Sequence, residues 1–225
     1  MATFEIVLDT ETTGLDAAGE DRIVEIGCVE LENHVPTGRT FHQYINPERD
    51  IPEEAFKVHG LSATFLSPKP IFSEIAQKFL DFIDDRALVI HNAEFDMAFI
   101  NAELKRTNFP EVPVVRAIDT LKIARERFPG APASLDALCR RFGVNNVART
   151  QHGALLDSQI LAEVYLELIG GRQQALTLKA RVEKSKKANV TEKTRLAARP
   201  HSASDTELAA HATLIDSIPK AIWRL

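Results

Sequence analysis

The chain has 225 residues, 44% of them apolar and 26% charged, with a net charge of −5, which suits one folded core with an appendage. No apolar run approaches the ~20 residues that span a bilayer, and the opening MATFEIV lacks the basic and apolar regions of a signal peptide, so a cytoplasmic protein is expected. Cys28 and Cys139 stand far apart in apolar surroundings without metal-type spacing, and read as buried, reduced thiols.

In chain order, residues 4–8, 23–31 and 39–46 read as strands. IVEIGCVEL and RTFHQYIN are β-rich and partly alternating, and the short polar links between them suit antiparallel hairpins. FSEIAQKFLDFIDD (72–85) places apolar groups at 72, 75, 79, 82 and 83, a helical stripe. ALVIH (87–91) is a short buried strand. The helix NAEFDMAFINAELKR follows it, with Asn92 as its expected N-cap and Glu94 in its first turn. VPVVRAID (112–119) reads as a strand, followed by helices 119–128 and 135–142. GALLDSQILAEVYLELIGG is a strong helix that stops at Gly170-Gly171. Three meandering strands followed by strand–helix alternation predict an α/β fold, a mixed sheet with helices packed on it.

After Gly171 the composition changes. Residues 1–178 hold 17 Lys and Arg against 27 Asp and Glu, whereas residues 179–199 hold eight basic side chains against two acidic ones. Residues 179–203 are basic and poor in bulky apolar groups, which predicts a flexible linker. SDTE (204–207) then has the form of a capping box, with Ser204 and Glu207 satisfying each other's backbone donors. Leu208, Ala212, Ile215 and Ile218 follow at helical spacing, Pro219 ends the run, and the chain's only tryptophan is Trp223. A one-faced helix beyond a linker is expected to bind a partner.

Two carboxylates end the first strand, in IVLDTETTGL. Residues i and i+2 of a strand share a face, so Asp9 and Glu11 should project side by side and repel unless a cation lies between them. Asp96 lies about one turn into the helix after strand 87–91, near the carboxyl end of a strand, where α/β sheets commonly carry sites. Asp157 lies near the start of helix 154–169, with His152 in the loop before it. Four carboxylates from three segments can hold two hard divalent ions. Such a pair activates a water and stabilises the leaving oxygen of a phosphodiester, and His152 is placed to take the proton as general base. Asp119 and Asp136 also begin helices, but read as a helix cap and as a first-turn charge behind a Ser134 cap. Thr10 points to the other face of its strand and reads as structural.

DTETTGL, HNAEFD and HGALLD, in that order, resemble the three motifs of the DnaQ-like (DEDDh) 3′→5′ exonucleases, and FHQYINPERDIPEEAFKVHGLS resembles a further landmark of that family. The resemblance covers residues 4–169. It implies a ribonuclease-H-like fold, a five-stranded mixed sheet flanked by helices, and two divalent ions, Mg²⁺ or Mn²⁺, as cofactors. It implies metal-ligand roles for Asp9, Glu11, Asp96 and Asp157 and the general-base role for His152. It places Glu54 and His59 against the terminal nucleotide of a DNA 3′ end, single-stranded or frayed, with Gly14, Val58 and Phe95 lining the pocket and Asp9, Glu11 and Asp157 also reaching substrate.

The tail, ELAAHATLIDSIPKAIWRL, resembles the polymerase-binding C-terminus of the epsilon proofreading subunits of bacterial DNA polymerase III, which implies that Leu208, Ala212, Ile215, Ile218 and Trp223 meet the catalytic alpha subunit. GGRQQALTL resembles those subunits' sliding-clamp-binding segment, with Gln173, Leu176 and Leu178 as anchors, and is equally readable as a frayed helix end. A small third core subunit is a further expected partner. The implied division is an exonuclease domain (1–171), a clamp-binding segment (172–178), a basic linker (179–203) and a polymerase-binding tail (204–225). The acidic main domain is a poor DNA binder by charge alone, and tethering to a polymerase through a linker supplies effective concentration instead. The leading reading is thus a proofreading exonuclease at replication forks, within a DNA-directed DNA polymerase. The others are a stand-alone exonuclease for RNA trimming or DNA repair, and an inactive polymerase–clamp adaptor.

Overall fold

The computed structural model describes residues 2–147, 149, 151–171 and 202–219. The chain divides into two units, Met1–Leu176 and Thr177–Leu225. The first begins with strands β1 (Phe4–Thr12), β2 (Ile23–Glu32) and β3 (Val35–Tyr44), then helices α1 (Glu53–His59), α2 (Ala63–Leu66) and α3 (Phe72–Ile83). Strand β4 (Ala87–Ile90), helix α4 (Ala93–Arg106), strand β5 (Ala117–Asp119) and helices α5 (Thr120–Arg127), α6 (Leu135–Phe142) and α7 (Ala154–Leu168) complete it. The sheet runs β3-β2-β1-β4-β5. β1 and β2 pair antiparallel, as do β2 and β3, while β4 runs parallel to both β1 and β5. This is the five-stranded mixed sheet with flanking helices that the sequence predicts.

The alternation of β1 divides the core. Ile6 and Leu8 join a buried cluster with Phe72, Phe79, Met97, Phe99 and Ile100, which belongs to α3 and α4. Val7 faces the opposite way and packs with Leu138, Leu161, Val164 and Leu168 of α6 and α7. β1 is therefore buried on both faces, as a central strand must be. Its last residues emerge between α4 on one side and α7 on the other, which positions the site.

Three local expectations are revised. Asn92 precedes α4 in a left-handed conformation (φ 67°, ψ 56°) without a side-chain capping bond; its value is the turn that Asn tolerates, not the cap. Of residues 112–119 only Ala117–Asp119 are strand, because Pro113 removes a ladder donor and Val114–Arg116 form a 3₁₀ turn. The third strand starts at Val35, four residues earlier than its alternation suggests, through a tight turn with Asn33 and His34 at positive φ. Asp119 accepts from the Leu121 and Lys122 amides and Ser134 from Ala137, the caps expected of them.

In the second unit, helix α8 (Asp205–Ser217) carries the expected capping box, Glu207 accepting from the Ser204 amide at 2.8 Å. None of its residues is buried, and Leu208, Leu214 and Ile218 are exposed. Gln173, Leu176, Leu178 and Trp223 lie outside the described residues, as does most of the basic segment. No helix among the described residues is long and apolar enough to cross a membrane.

Candidate active site

The end of β1 collects the acidic residues singled out in the sequence. Asp9 and Glu11 share the face of Val7, toward α7, by strand alternation. Thr10, on the other face, reaches α4. Its amide and hydroxyl both donate to Asp96 Oδ1, at 3.1 and 2.7 Å. Thr10 is thus the clamp that fixes Asp96 against the strand end, a role the alternation alone did not show. On the α7 side, ligand atoms of Glu11, His152 and Asp157 lie within 4.8 Å of one another.

Gly27 makes that approach possible. It pairs with Asp9 across β1 and β2, and a Cβ there would stand 2.2 Å from backbone atoms of both Ala154 and Leu155. Ser158 then donates to the Gly27 carbonyl at 2.9 Å. The first turn of α7, which carries Asp157, is seated directly on the sheet. Gly27→Ala should force that turn outward, with a stability loss of roughly 1–3 kcal/mol and a much larger relative loss of nuclease activity. Urea unfolding and a nuclease assay on one preparation check this, and near-normal activity would show that α7 needs no such seat.

The electrostatics are those of a crowded, buried acidic cluster. Burial, then Asp96, Glu11 and Asp157 as neighbours, push the Asp9 carboxyl well above its ordinary value. Burial first, then Asp157, Glu25 and Asp96, raise Glu11 to about 8. Burial raises Asp96 to about 7 against the two bonds from Thr10, which favour its charge. Asp157 departs from this pattern: burial alone would raise it, but His152 and Arg149 outweigh that and hold it low. Three carboxylates that give up protons only reluctantly, pressed together at a strand end, fit a divalent-cation donor set.

Beside the cage lies a cleft of about 490 Å³ lined by Glu11, Gly14, Glu54, Val58, His59 and Phe95, among others. The Val58 carbonyl accepts from the His152 amide at 3.1 Å, so the end of α1 holds the loop that carries the histidine. His59 Nδ1 accepts from the Leu61 amide at 3.0 Å, which puts the ring proton on Nε2. Nε2 is buried without a well-formed hydrogen bond, the nearby Thr12 backbone notwithstanding, and burial lowers the ring's pKa. A buried, orphaned donor at the rim of a cleft suits a ligand oxygen. Gly14 serves packing: the Asp21 carboxylate fills the space of its missing side chain, 2.2 Å from where a Cβ would stand. The sequence did not single out Arg149, which holds Asp157 from the loop between α6 and α7, or Gly27. Neither belongs to a recognisable spacing; both act through contacts distant in sequence or irregular in structure.

Comparison with known proteins places this arrangement. The family model described as "Exonuclease" matches residues 6–165. The chain is 49% identical over 231 residues to the DNA polymerase III subunit epsilon of Rickettsia conorii, covering 97% of this chain and 98% of that protein. It is 43% identical over 237 residues to the protein of the same name from Escherichia coli, covering 99% and 98%. In fold it resembles the nuclease domain of 3′hExo, a DEDDh family member solved bound to rAMP, with a TM-score of 0.63, 20% identity and coverage of 74% of this chain and 91% of that one; the sheet and its helices are of the ribonuclease-H-like kind. Matched through its core by the exonuclease model and over nearly its whole length by these relatives, the chain belongs to the exonuclease family, among the epsilon subunits of DNA polymerase III.

Proposed function

We propose that the carboxylate cage at the end of β1 is the site where this 3′→5′ exonuclease removes mispaired 3′-terminal nucleotides for DNA polymerase III. The observation that carries the assignment is the convergence of Asp9, Glu11, Asp96, Asp157 and His152 at one strand end beside a cleft. The family is dependent on divalent metal ions; Asp9, Glu11, Asp96 and Asp157 would hold two, Mg²⁺ or Mn²⁺. When bound, such ions lower the pKa of the attacking water and stabilise the leaving oxygen.

The protein's own groups do the rest. Glu54, Val58, His59, Phe95 and Gly14 seat the terminal nucleotide in the cleft, with the neutral His59 donating from Nε2. His152, 46% exposed, reaches solvent and takes the proton of the attacking water. The terminal phosphodiester breaks and a nucleoside 5′-monophosphate leaves. Selectivity for mispairs follows from fraying, because an unpaired end reaches a recessed site at less cost than a stacked one.

The four-part division of the chain belongs to the same reading: exonuclease domain, clamp-binding segment, basic linker and tail. Relatives named as polymerase subunits match through the tail as well as the core, which supports a docked subunit over a stand-alone nuclease. The exposed leucines of α8 fit docking on the alpha subunit. The sliding clamp, a small third subunit and location at the cytoplasmic replication fork complete the proposal. The test is a primer–template with a 3′ mispair: the full-length chain with Mg²⁺ should release 5′-mononucleotides from the mispaired end faster than from a paired one. Equal rates would remove the proofreading selectivity from the isolated subunit. Deleting residues 204–225 should leave that activity intact and abolish co-purification with the polymerase; retained co-purification would refute the docking role of the tail.

A further inference from the structure

Among the described residues Arg149 is the cation paired with the acidic site, and its guanidinium makes four polar contacts there. Its Nε and Nη2 donate to the two oxygens of Asp157 at 2.6 and 2.8 Å, its Nη1 to Asp136 at 2.8 Å, and its Nη2 lies 2.8 Å from His152 Nδ1. The Arg149 side chain is only 9% exposed. A guanidinium only donates, so while Nη2 donates to His152 Nδ1, that nitrogen accepts and the ring proton sits on Nε2. In this arrangement both Asp157 oxygens are engaged. The other ring nitrogen, Nε2, then carries the proton and has no lone pair for a base.

We propose that Arg149 is an internal counter-ion that holds the site in a resting state, and that it must leave Asp157 before that carboxylate can take a divalent ion and before His152 can act as base. Asp157 and His152 fit each other once it leaves. Nδ1 of His152 is already 3.3 Å from Asp157 Oδ2. With the guanidinium gone, an Nδ1–H can donate to Asp157, and the lone pair moves to Nε2, where a base needs it. The proton balance is a tautomer exchange through solvent, with no net gain or loss. Asp136, 46% exposed and also accepting from Asn146 at 2.9 Å, is the anchor that keeps Arg149 at hand. Arg149 acts through Asp157 and His152 and is therefore a positioning residue.

This inference rests on the carboxylate site proposed above, and the test separates the two. The full-length chain is titrated with Mn²⁺ alone, with free Mn²⁺ counted by electron paramagnetic resonance, and the His152 tautomer is read by ¹⁵N NMR in the metal-free state. Arg149→Gln should tighten the weaker Mn²⁺ site by about tenfold and shift the ring proton from Nε2 toward Nδ1. Asp136→Asn should move both readouts the same way by a smaller amount. A merely structural arginine would do the reverse, its loss loosening the cage and weakening Mn²⁺. Unchanged or weaker Mn²⁺ binding in Arg149→Gln, or a wild-type His152 already protonated on Nδ1, overturns the proposal. If Arg149→Gln fails to fold, Asp136→Asn decides by the same criteria. Failure of the wild type and both variants to bind Mn²⁺ overturns the site assignment itself.

Discussion

Asp9→Asn is expected to raise the thermal stability of the metal-free protein while reducing nuclease activity by on the order of 10³-fold or more, the scale seen when one electrostatic contributor to a transition state is removed. Asp9 has Asp96, Glu11 and Asp157 as like-charged neighbours, and burial adds to the cost of ionising it. A carboxamide of the same shape removes the charge and leaves the packing of β1 unchanged. Stability and activity should therefore move in opposite directions. A thermal melt and a single-turnover nuclease assay on one preparation suffice. Activity within tenfold of wild type would remove Asp9 from the cage, and an unchanged melting temperature would show that its repulsion with its neighbours is relieved without metal.

The second large effect is the pH dependence of stability without metal. Glu11 is raised from 4.5 to about 8 and Asp96 from 3.8 to about 7. Between the unfolded and folded values the native state binds more protons than the unfolded state, so stability falls as pH rises. The contribution is fully present below about pH 4 and is lost as pH passes through 7 to 8. Asp157, held low, works in the opposite direction and matters only in acid, losing its contribution as pH falls. In chelator the protein should melt at a lower temperature at pH 8.5 than at pH 6. Mn²⁺ held at 100 times its pH 6 Kd should add about 2.7 kcal/mol at pH 6, roughly 5–10 °C, and the same concentration should add more at pH 8.5, where fewer protons compete. A metal-free melting temperature that rises between pH 6 and 8.5 would refute the strained-cage description.

These expectations show where the chain could be read and where it could not. The continuous apolar run Ile6-Val7-Leu8 and the i, i+2 period are local properties, so a buried first strand and the shared face of Asp9 and Glu11 were legible in the sequence. Helix α7 announced itself through its length and its terminal glycines, and the capping box of α8 through two residues three apart. Asn92 and Pro113 misled because turn conformation and ladder position depend on the neighbours that the fold brings close. The short helix α1 carries His59 and Glu54 but is too brief for its periodicity to speak; its location against the cleft was indicated only by the resemblance of the surrounding landmark.

The sequence by itself determined the kind of chemistry: four carboxylates and a histidine in three segments, one at a strand end and two at helix starts, where an α/β sheet opens its ends. Only the tertiary structure decided how these segments meet. Thr10 binds Asp96 across 86 positions, Gly27 admits α7 to the sheet across 131, and Arg149 takes both oxygens of Asp157 from an irregular loop. The physical reason is one of range. Periodicity, capping and turn preference act between residues a few places apart and leave a pattern in the sequence. Close backbone approach and charge neutralisation act between residues joined only by the fold, and any residue of the right size or charge can provide them.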